Sequence, residues 1–349
     1  MRVLVAMSGG VDSSVAAALM VEQGHEVVGV TLKLWGGESD SGCCSVSDVD
    51  DARRVAQQLG IPFFVFNFTD DFDRMVVEPY VAAHAEGLTP NPCIECNRHL
   101  KFDRLLERAR ELGFDRLVTG HHAALVRRGG PGGPRHLSRG ADRAKDQSYV
   151  LYMLGSEDLE MCEFPLGAMT KAEVRARAAA AGLRTAHKPD SQDVCFITSG
   201  QGRRDFLARR IEMTPAEVVD TSGNTVGRVD SIQSVTIGQR RGLGLVGLPG
   251  RRFVTEVDRA AARITVGTAE DLLAPEVELE GLEWTSEPVR GPVTAQVSAH
   301  GDARPARLVS VDRLRWESPQ PRVAPGQAVV LYDGDVVVGG ATAASARPA

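Results

Sequence analysis

The sequence predicts an α/β fold: an amino-terminal parallel-sheet domain, then a small central β domain, then a carboxy-terminal β-barrel. Three observations carry this. Through the first two hundred residues, short β-branched runs alternate with amphipathic helical stretches, the order that builds a parallel sheet covered on both faces. The first such run passes directly into a glycine-rich turn and a helix. From about residue 220 helical periodicity gives way to short strands at close spacing, the pattern of two small β domains, both expected as barrels. The boundaries follow as 1–200, 201–270 and 271–349.

Taken in order, Arg2 to Met7 is a short apolar strand and Ser8-Gly9-Gly10-Val11-Asp12-Ser13-Ser14 the turn after it. Paired glycines let successive backbone N–H groups point at an anion, and the helix that follows adds unsatisfied donors and partial positive charge. The loop has no Gly-Lys-Ser/Thr, since no lysine follows Gly10, and no G-x-G-x-x-G. A plain Ser/Asp helix cap is the bland alternative. Glu26 to Leu34 reads as a second strand, Asp48 to Leu59 as a helix, Pro62 to Phe68 as a third strand and Thr69 to Glu86 as a longer helix. Prolines 90 and 92 forbid helix before Cys93, and Glu95 to Leu112 then turns helical. Asp115 to Gly120 is a fourth strand, ending in His121-His122, which are expected as structural or polar-face residues. Arg127 to Ser138 reads as a mobile Gly/Pro/Arg hairpin loop. Thr170 to Gly182 carries the start and stop signals of a helix, with Glu173 completing a capping box. Strands are expected at 251–257, 263–266, 293–298, 307–311, 327–332 and 336–339.

Composition fits a globular chain with real cores, 43% hydrophobic and 25% charged. No run of about eighteen apolar residues and no signal-peptide pattern is found, so a cytoplasmic protein without membrane partners is expected. A net charge of −6 argues against binding nucleic acid by bulk charge. Local stripes differ: residues 127–145 hold six Lys/Arg against one Asp, and 201–263 hold eleven Arg against seven acids, enough to meet phosphates locally. Ile237 to Leu245 (I-G-Q-R-R-G-L-G-L) would expose Arg240 and Arg241 on a glycine-rich turn suited to nucleic-acid backbone.

Six cysteines in 349 residues make no disulfide scaffold. Cys93 and Cys96 form a C-x-x-C near a helix start, a place that favours thiolate. A zinc half-site, a redox pair and a catalytic thiol all compete there, and no metal site is assigned. Cys195 follows an acidic loop and precedes Phe-Ile, where a buried cysteine in a short strand is a fair alternative. Cys43, Cys44 and Cys162 carry no assigned role.

S-G-G-V-D-S-S resembles the loop of the ATP pyrophosphatases, an adenine nucleotide alpha hydrolase-like group that leaves AMP on a substrate oxygen. With N-P-C-I-E-C-N, T-G-H, K-D-Q-S-Y, D-S-Q-D-V-C-F and T-I-G-Q-R-R-G-L-G in the same order, the chain resembles the tRNA-specific 2-thiouridylases. That resemblance implies ATP-dependent 2-thiolation of the wobble uridine (position 34) of tRNA, by adenylation of the carbon-2 oxygen and sulfur transfer from a cysteine persulfide. By motif position Cys96 matches the nucleophile and Cys195 the persulfide carrier, the pair ending as a disulfide. ATP contacts map onto Ala6, Met7, Ser8, Gly9, Gly10, Val11, Asp12, Ser13, Leu32 and Gly120. Contacts to tRNA and its target base map onto Asn91, Pro92, Cys93, Lys145, Asp146 and Gln147. ATP and Mg²⁺ are the implied cofactors, with Asp12 a candidate for the ion or for ordering the turn. A cysteine desulfurase or sulfur-relay protein is the implied donor.

Departures are visible. Many members carry Asp where this chain has Cys93, which admits a three-cysteine iron–sulfur site of Cys93, Cys96 and Cys195. The usual His-x-Gly before T-I-G-Q-R is Val229-Asp230-Ser231, and an Arg-aromatic pair is replaced near Ser298-Ala299. Another adenylating synthetase, or a non-catalytic tRNA-binding or sulfur-carrier protein, are the competing classes.

Overall fold

The computed structural model describes residues 1–35, 46–130, 132–190, 194–197, 202–285 and 287–344. Cys43 and Cys44, and Gln192 and Asp193 of the D-S-Q-D-V-C-F motif, lie outside them. The amino-terminal sheet holds β1 (Arg2–Ala6), β2 (Glu26–Lys33), β3 (Phe63–Asn67), β4 (Arg116–Thr119) and the short β7 (Cys162–Glu163), in the order β3-β2-β1-β4-β7. All its pairings are parallel. Alternation along β1 explains why both faces are covered. Val3 and Val5 point to α1 (Val11–Glu22) and α2 (Val46–Leu59), whereas Leu4 points to the helical residues 69–111.

Helix 92–111 begins at Pro92, the favoured first position for proline, with Asn91 accepting a bond from the Cys93 N–H at 3.0 Å. Its middle, Cys96–Arg104, is π-helical, and the Leu105 N–H returns to the Leu100 carbonyl five residues back. Such turns bring residues five apart onto one face. Cys96 opens this stretch, and Lys101 within it donates to Asn97 at 2.8 Å. The helix Lys171–Ala180 has the expected cap: Thr170 and Glu173 exchange bonds, and Gly182 follows at φ +63°.

Four strands, β8 (Ala216–Asp220), β9 (Thr225–Val229), β10 (Phe253–Asp258) and β11 (Arg263–Gly267), form the central sheet in the order β10-β11-β8-β9. No strand pairing closes that row among the described residues. The carboxy-terminal barrel is closed. Strands β12 (Leu273–Trp284), β13 (Pro292–Gln296), β14 (Arg304–Ser310), β15 (Arg313–Pro321), β16 (Ala328–Asp333) and β17 (Val336–Ala343) run β12-β15-β14-β13-β16-β17, and β17 pairs back to β12. Val329, Leu331, Trp316 and Leu314 fill its interior.

The stretch read as a mobile hairpin loop is a hairpin whose strands are tied into the fold. β5 (Ala123–Arg127) pairs with β6 (Arg135–Arg139), and β6 meets β17 through Ser138 and Val336. Leu137 is fully buried and Arg139 stacks 3.7 Å from the Tyr332 ring centroid. Tyr149 donates to the Ala328 carbonyl at 2.9 Å, and Tyr152 packs against Gly340, where any side chain would run into its ring. Ala328, Val330, Tyr332 and Val337 of the barrel thus share one apolar core with Leu4 and Leu100 of the amino-terminal sheet layer.

Candidate functional site

The loop after β1 opens a cavity of about 210 Å³ at the carboxyl edge of the parallel sheet, the edge where open α/β sheets bind ligands. Helix α1 starts at Gly10 with no side-chain cap. Its first N–H groups are thus left for an anion, and the capping alternative fails. Gly9 has φ +73°, and a Cβ there would collide with the Asp48 carbonyl. Gly120 is hemmed in as well: a Cβ there would lie 2.6 Å from the Ser13 nitrogen. Both positions need the backbone approach that only glycine permits.

Of the ten residues mapped to ATP, Ala6, Met7, Ser8, Asp12, Ser13, Leu32 and Gly120 line the cavity. Gly9 and Gly10 supply loop backbone, and the Val11 side chain is buried beneath α1. Val30, Leu32 and Leu34 give the cavity an apolar wall. Its volume is below the roughly 300–1,000 Å³ of enclosed small-molecule sites, so a nucleotide would seat part of itself here and leave its phosphates at the loop. Ser14, by contrast, is fully buried and gives its hydroxyl to the Gly10 carbonyl at 2.8 Å. Ser13 likewise reaches the Gly10 carbonyl at 3.2 Å and stands 3.3 Å from the Ser8 hydroxyl. Ser8 is the exposed hydroxyl of the set.

Asp12 is held by residues that no sequence signal tied to it. Lys171 donates to both its oxygens at 2.8 and 2.7 Å, and His122 Nε2 donates to Oδ1 at 3.1 Å. Burial pushes the Asp12 carboxyl up, but the bonds from His122 and Lys171 outweigh it and hold the group below the usual carboxylate range. Lys171 also meets Asp190 at 2.9 Å, and Asp190 binds Lys145 at 2.8 Å and Arg175 at 2.7 Å. Asp190 is also lowered, its partial burial being outweighed by the Lys145 and Lys171 bonds. Two residues before it, Lys188 joins Asp48 at 2.6 Å, Asp51 at 2.7 Å and the Gly9 carbonyl at 3.0 Å. His121 is buried and bonded to Thr119 at 2.7 Å; burial, then Lys101 and His122, keep it neutral.

A second cavity, about 510 Å³, lies between the amino-terminal layer and the barrel. Asn91 and Pro92 line it, as do Tyr149, Val194 and Ile197, with Ser298, Ala299 and Ala328 from the barrel side. Helix 92–111 connects the two cavities. Asn91 and Pro92 open on the larger, Lys101 opens on the smaller, and Cys96 sits between them in sequence, 8% exposed. Cys195 is half-buried in a turn, not a strand, and packs against the apolar core that includes Cys96. Cys93 is exposed. Among the described residues no group of three or more His, Cys, Asp or Glu could hold a metal ion, so Cys93, Cys96 and Cys195 are not gathered into a three-cysteine site.

The other mapped residues are not presented alike. Gln147 lines the smaller cavity and accepts from the His122 N–H at 2.9 Å. Lys145 is held by Asp190. Asp146 is 4% exposed and is spent on Arg139, Gly140 and Ser148, which orders the turn around it. Arg240 and Arg241 are exposed in the loop between β9 and β10, on the central sheet.

Residues 1–199 match the family model described as a tRNA methyl transferase HUP domain, 204–268 that of a tRNA methyl transferase PRC-barrel domain, and 277–343 that of an aminomethyltransferase beta-barrel domain. The chain is similar to the tRNA-specific 2-thiouridylase MnmA of Roseiflexus sp. strain RS-1, with 47% identity over 370 residues, 97% of this chain and 98% of that one. It is 48% identical over 366 residues to the protein of the same name from Acidothermus cellulolyticus, covering 100% of this chain and 99% of the other. For the Thermobifida fusca protein the figures are 44% over 355 residues, 99% and 96%.

Proposed function

The chain belongs to the tRNA-specific 2-thiouridylase family, and we propose that it replaces the carbon-2 oxygen of the wobble uridine with sulfur through an adenylated base and a persulfide on Cys195. It is a tRNA sulfurtransferase that uses ATP; the route, the site residues and the sulfur donor are our reading. In that reading the carbon-2 oxygen attacks the α-phosphorus of ATP held by the Ser8–Ser13 loop. The bond to the bridging oxygen breaks, pyrophosphate leaves with the electron pair, and the ring N3 proton passes to water. The terminal sulfur of the Cys195 persulfide then attacks carbon 2, and AMP departs with the old oxygen. Cys96 thiolate attacks the Cys195 sulfur, the sulfur–sulfur bond breaks, and the base leaves carrying sulfur and regains its N3 proton. A Cys96–Cys195 disulfide remains, which a thiol reductant returns to two thiols.

The observation that carries this reading is the helix 92–111. It presents Lys101 to the nucleotide cavity and Asn91-Pro92 to the second cavity, with Cys96 between and the Cys195 turn on the same apolar core. Gly120, Gly9 and the uncapped α1 fit a polyphosphate. Magnesium is less well served: both Asp12 oxygens already hold Lys171. Mg²⁺ therefore enters as the ion that ATP carries on its phosphates, not as a resident one, and no step here runs through it. Asn91, Cys93, Lys145 and Gln147 would meet the target base and its neighbours, Asp146 would shape their loop, and Arg240 and Arg241 would meet phosphates farther along the tRNA. The unpaired anticodon loop makes the base easier to extrude than one in a duplex. The divisions 1–200, 201–270 and 271–349 then correspond to adenylation, tRNA binding and the barrel that closes the second cavity. A cysteine desulfurase or relay protein would load Cys195. Among the described residues no helix is long and apolar enough to cross a membrane, which suits work on tRNA in the cytoplasm.

The test is incubation with ATP, Mg²⁺, a persulfide-generating sulfur source and unmodified tRNA, followed by mass analysis of the nucleosides. An oxygen-to-sulfur exchange confined to the wobble uridine is expected. Unchanged uridine, or sulfur at another position, would overturn the reading.

A further inference from the structure

The phosphate loop lacks a lysine of its own. Mononucleotide loops of the Gly-Lys-Ser/Thr type use that lysine to reach the outer phosphates. Here a distant segment supplies one. Lys171 opens the helix Lys171–Ala180, fixed by the Thr170–Glu173 cap, and its side chain is only 12% exposed. Two of its contacts go to the oxygens of Asp12, the second residue of α1, and another to Asp190. An ammonium has three donors and moves on a flexible stem. It is thus parked on a carboxylate that lines the nucleotide cavity, beside the uncapped helix start. The other nearby lysines have different partners: Lys101 meets Asn97 at 2.8 Å, Lys188 meets Asp48, Asp51 and the loop carbonyl, and Lys145 meets Asp190 but not Asp12.

We propose that Lys171 is a catalytic residue that holds the pyrophosphate half of ATP and takes up the charge that develops on it, with Asp190 as its positioning residue. The inference rests on the ATP-dependent reading above. As the α-phosphorus is transferred to the base oxygen, the bond to the bridging oxygen breaks and its electron pair stays on pyrophosphate. A fixed cation is worth most at that oxygen because the charge is new there. Asp12 holds the ammonium at the cradle while it is empty. Asp190, itself fixed by Arg175 and Lys145, keeps the lysine stem from swinging into solvent.

The experiment compares wild type, Lys171→Gln, Lys171→Arg, Asp190→Asn and Asp190→Glu in the full chain with unmodified tRNA. Three quantities are read: the rate of pyrophosphate release, inhibition by inorganic pyrophosphate and inhibition by AMP. Glutamine keeps a donor for Asp12 and Asp190 while removing the charge. Lys171→Gln is expected to slow pyrophosphate release about 100-fold. It should weaken inhibition by pyrophosphate about tenfold and leave inhibition by AMP unchanged; Lys171→Arg should recover part of both losses. Asp190→Asn should show the same selective pattern at smaller size, rescued by Asp190→Glu. Equal weakening of AMP and pyrophosphate, or no change in either, overturns the proposal; Lys171→Arg decides by the same ratio if the glutamine variant does not fold. Failure of the wild type itself to thiolate tRNA would instead sink the underlying reading, which keeps the two failures apart.

Discussion

Gly120, at the end of β4, lies against the backbone nitrogen of Ser13 in the first turn of α1, so closely that a methyl group would stand 2.6 Å from it. The strand end and the helix start are thereby pressed into one wall of the nucleotide cavity. Gly120→Ala should push the loop aside and raise the KM for ATP about 5- to 150-fold, by the roughly 1–3 kcal/mol that overpacking costs. Steady-state kinetics checks this, with circular dichroism unchanged.

The two thiols should separate by step. Cys195→Ser is expected to release pyrophosphate from ATP in the presence of tRNA yet form no thiouridine, since adenylation precedes its role. Cys96→Ser should accumulate tRNA joined to Cys195 through a sulfur–sulfur bond, released by a thiol reductant. Nucleoside mass analysis and a non-reducing gel check the pair.

Arg240 and Arg241 are exposed on the central sheet, away from both cavities. Replacing both with Ala should weaken tRNA binding and lower the slope of log affinity against log salt by about 2. The KM for ATP should not move. Filter binding across a salt series is the check.

His84 is buried beside Tyr80, their ring centroids 4.5 Å apart. Burial, helped by the Arg203 charge, lowers its pKa to about 4, while Arg259 donates to its carbonyl. The unfolded chain therefore binds a proton that the folded one refuses between about pH 6.5 and 4, and stability falls as pH drops through that window. The loss is on the order of 3 kcal/mol. His84→Gln should flatten that part of the stability curve, measured by urea melts at several pH values.

The parts of this fold legible in the sequence are those whose reason is local. The apolar run at β1, the glycine pair and the helix after it announce themselves within fourteen residues, and so does the Thr170–Glu173 cap. The hairpin at 123–139 was legible as a hairpin but read as mobile, because its pairing to β17 joins a strand nearly two hundred residues away. β12 and β15 escaped notice because Glu, Arg and Pro occupy their outer positions. The site divides the same way. Gly9, Asp12 and Gly120 follow from loop chemistry, whereas the tie from Lys171 and His122 to Asp12 joins three segments that only folding brings together. Asp190 had no signal beyond its motif. The π-helical turns over Cys96–Arg104 leave no mark in residue periodicity.

The hairpin β5–β6 has a bearing on any attempt to dissect the protein. A gene trimmed before residue 271 would strip cover from Leu137, Tyr149 and Tyr152, all at most 5% exposed in the whole chain. The fragment would present an orphaned strand edge and an aromatic patch, the ingredients of aggregation. Adenylation is therefore best studied by crippling individual side chains in the intact polypeptide, not by expressing its first segment alone.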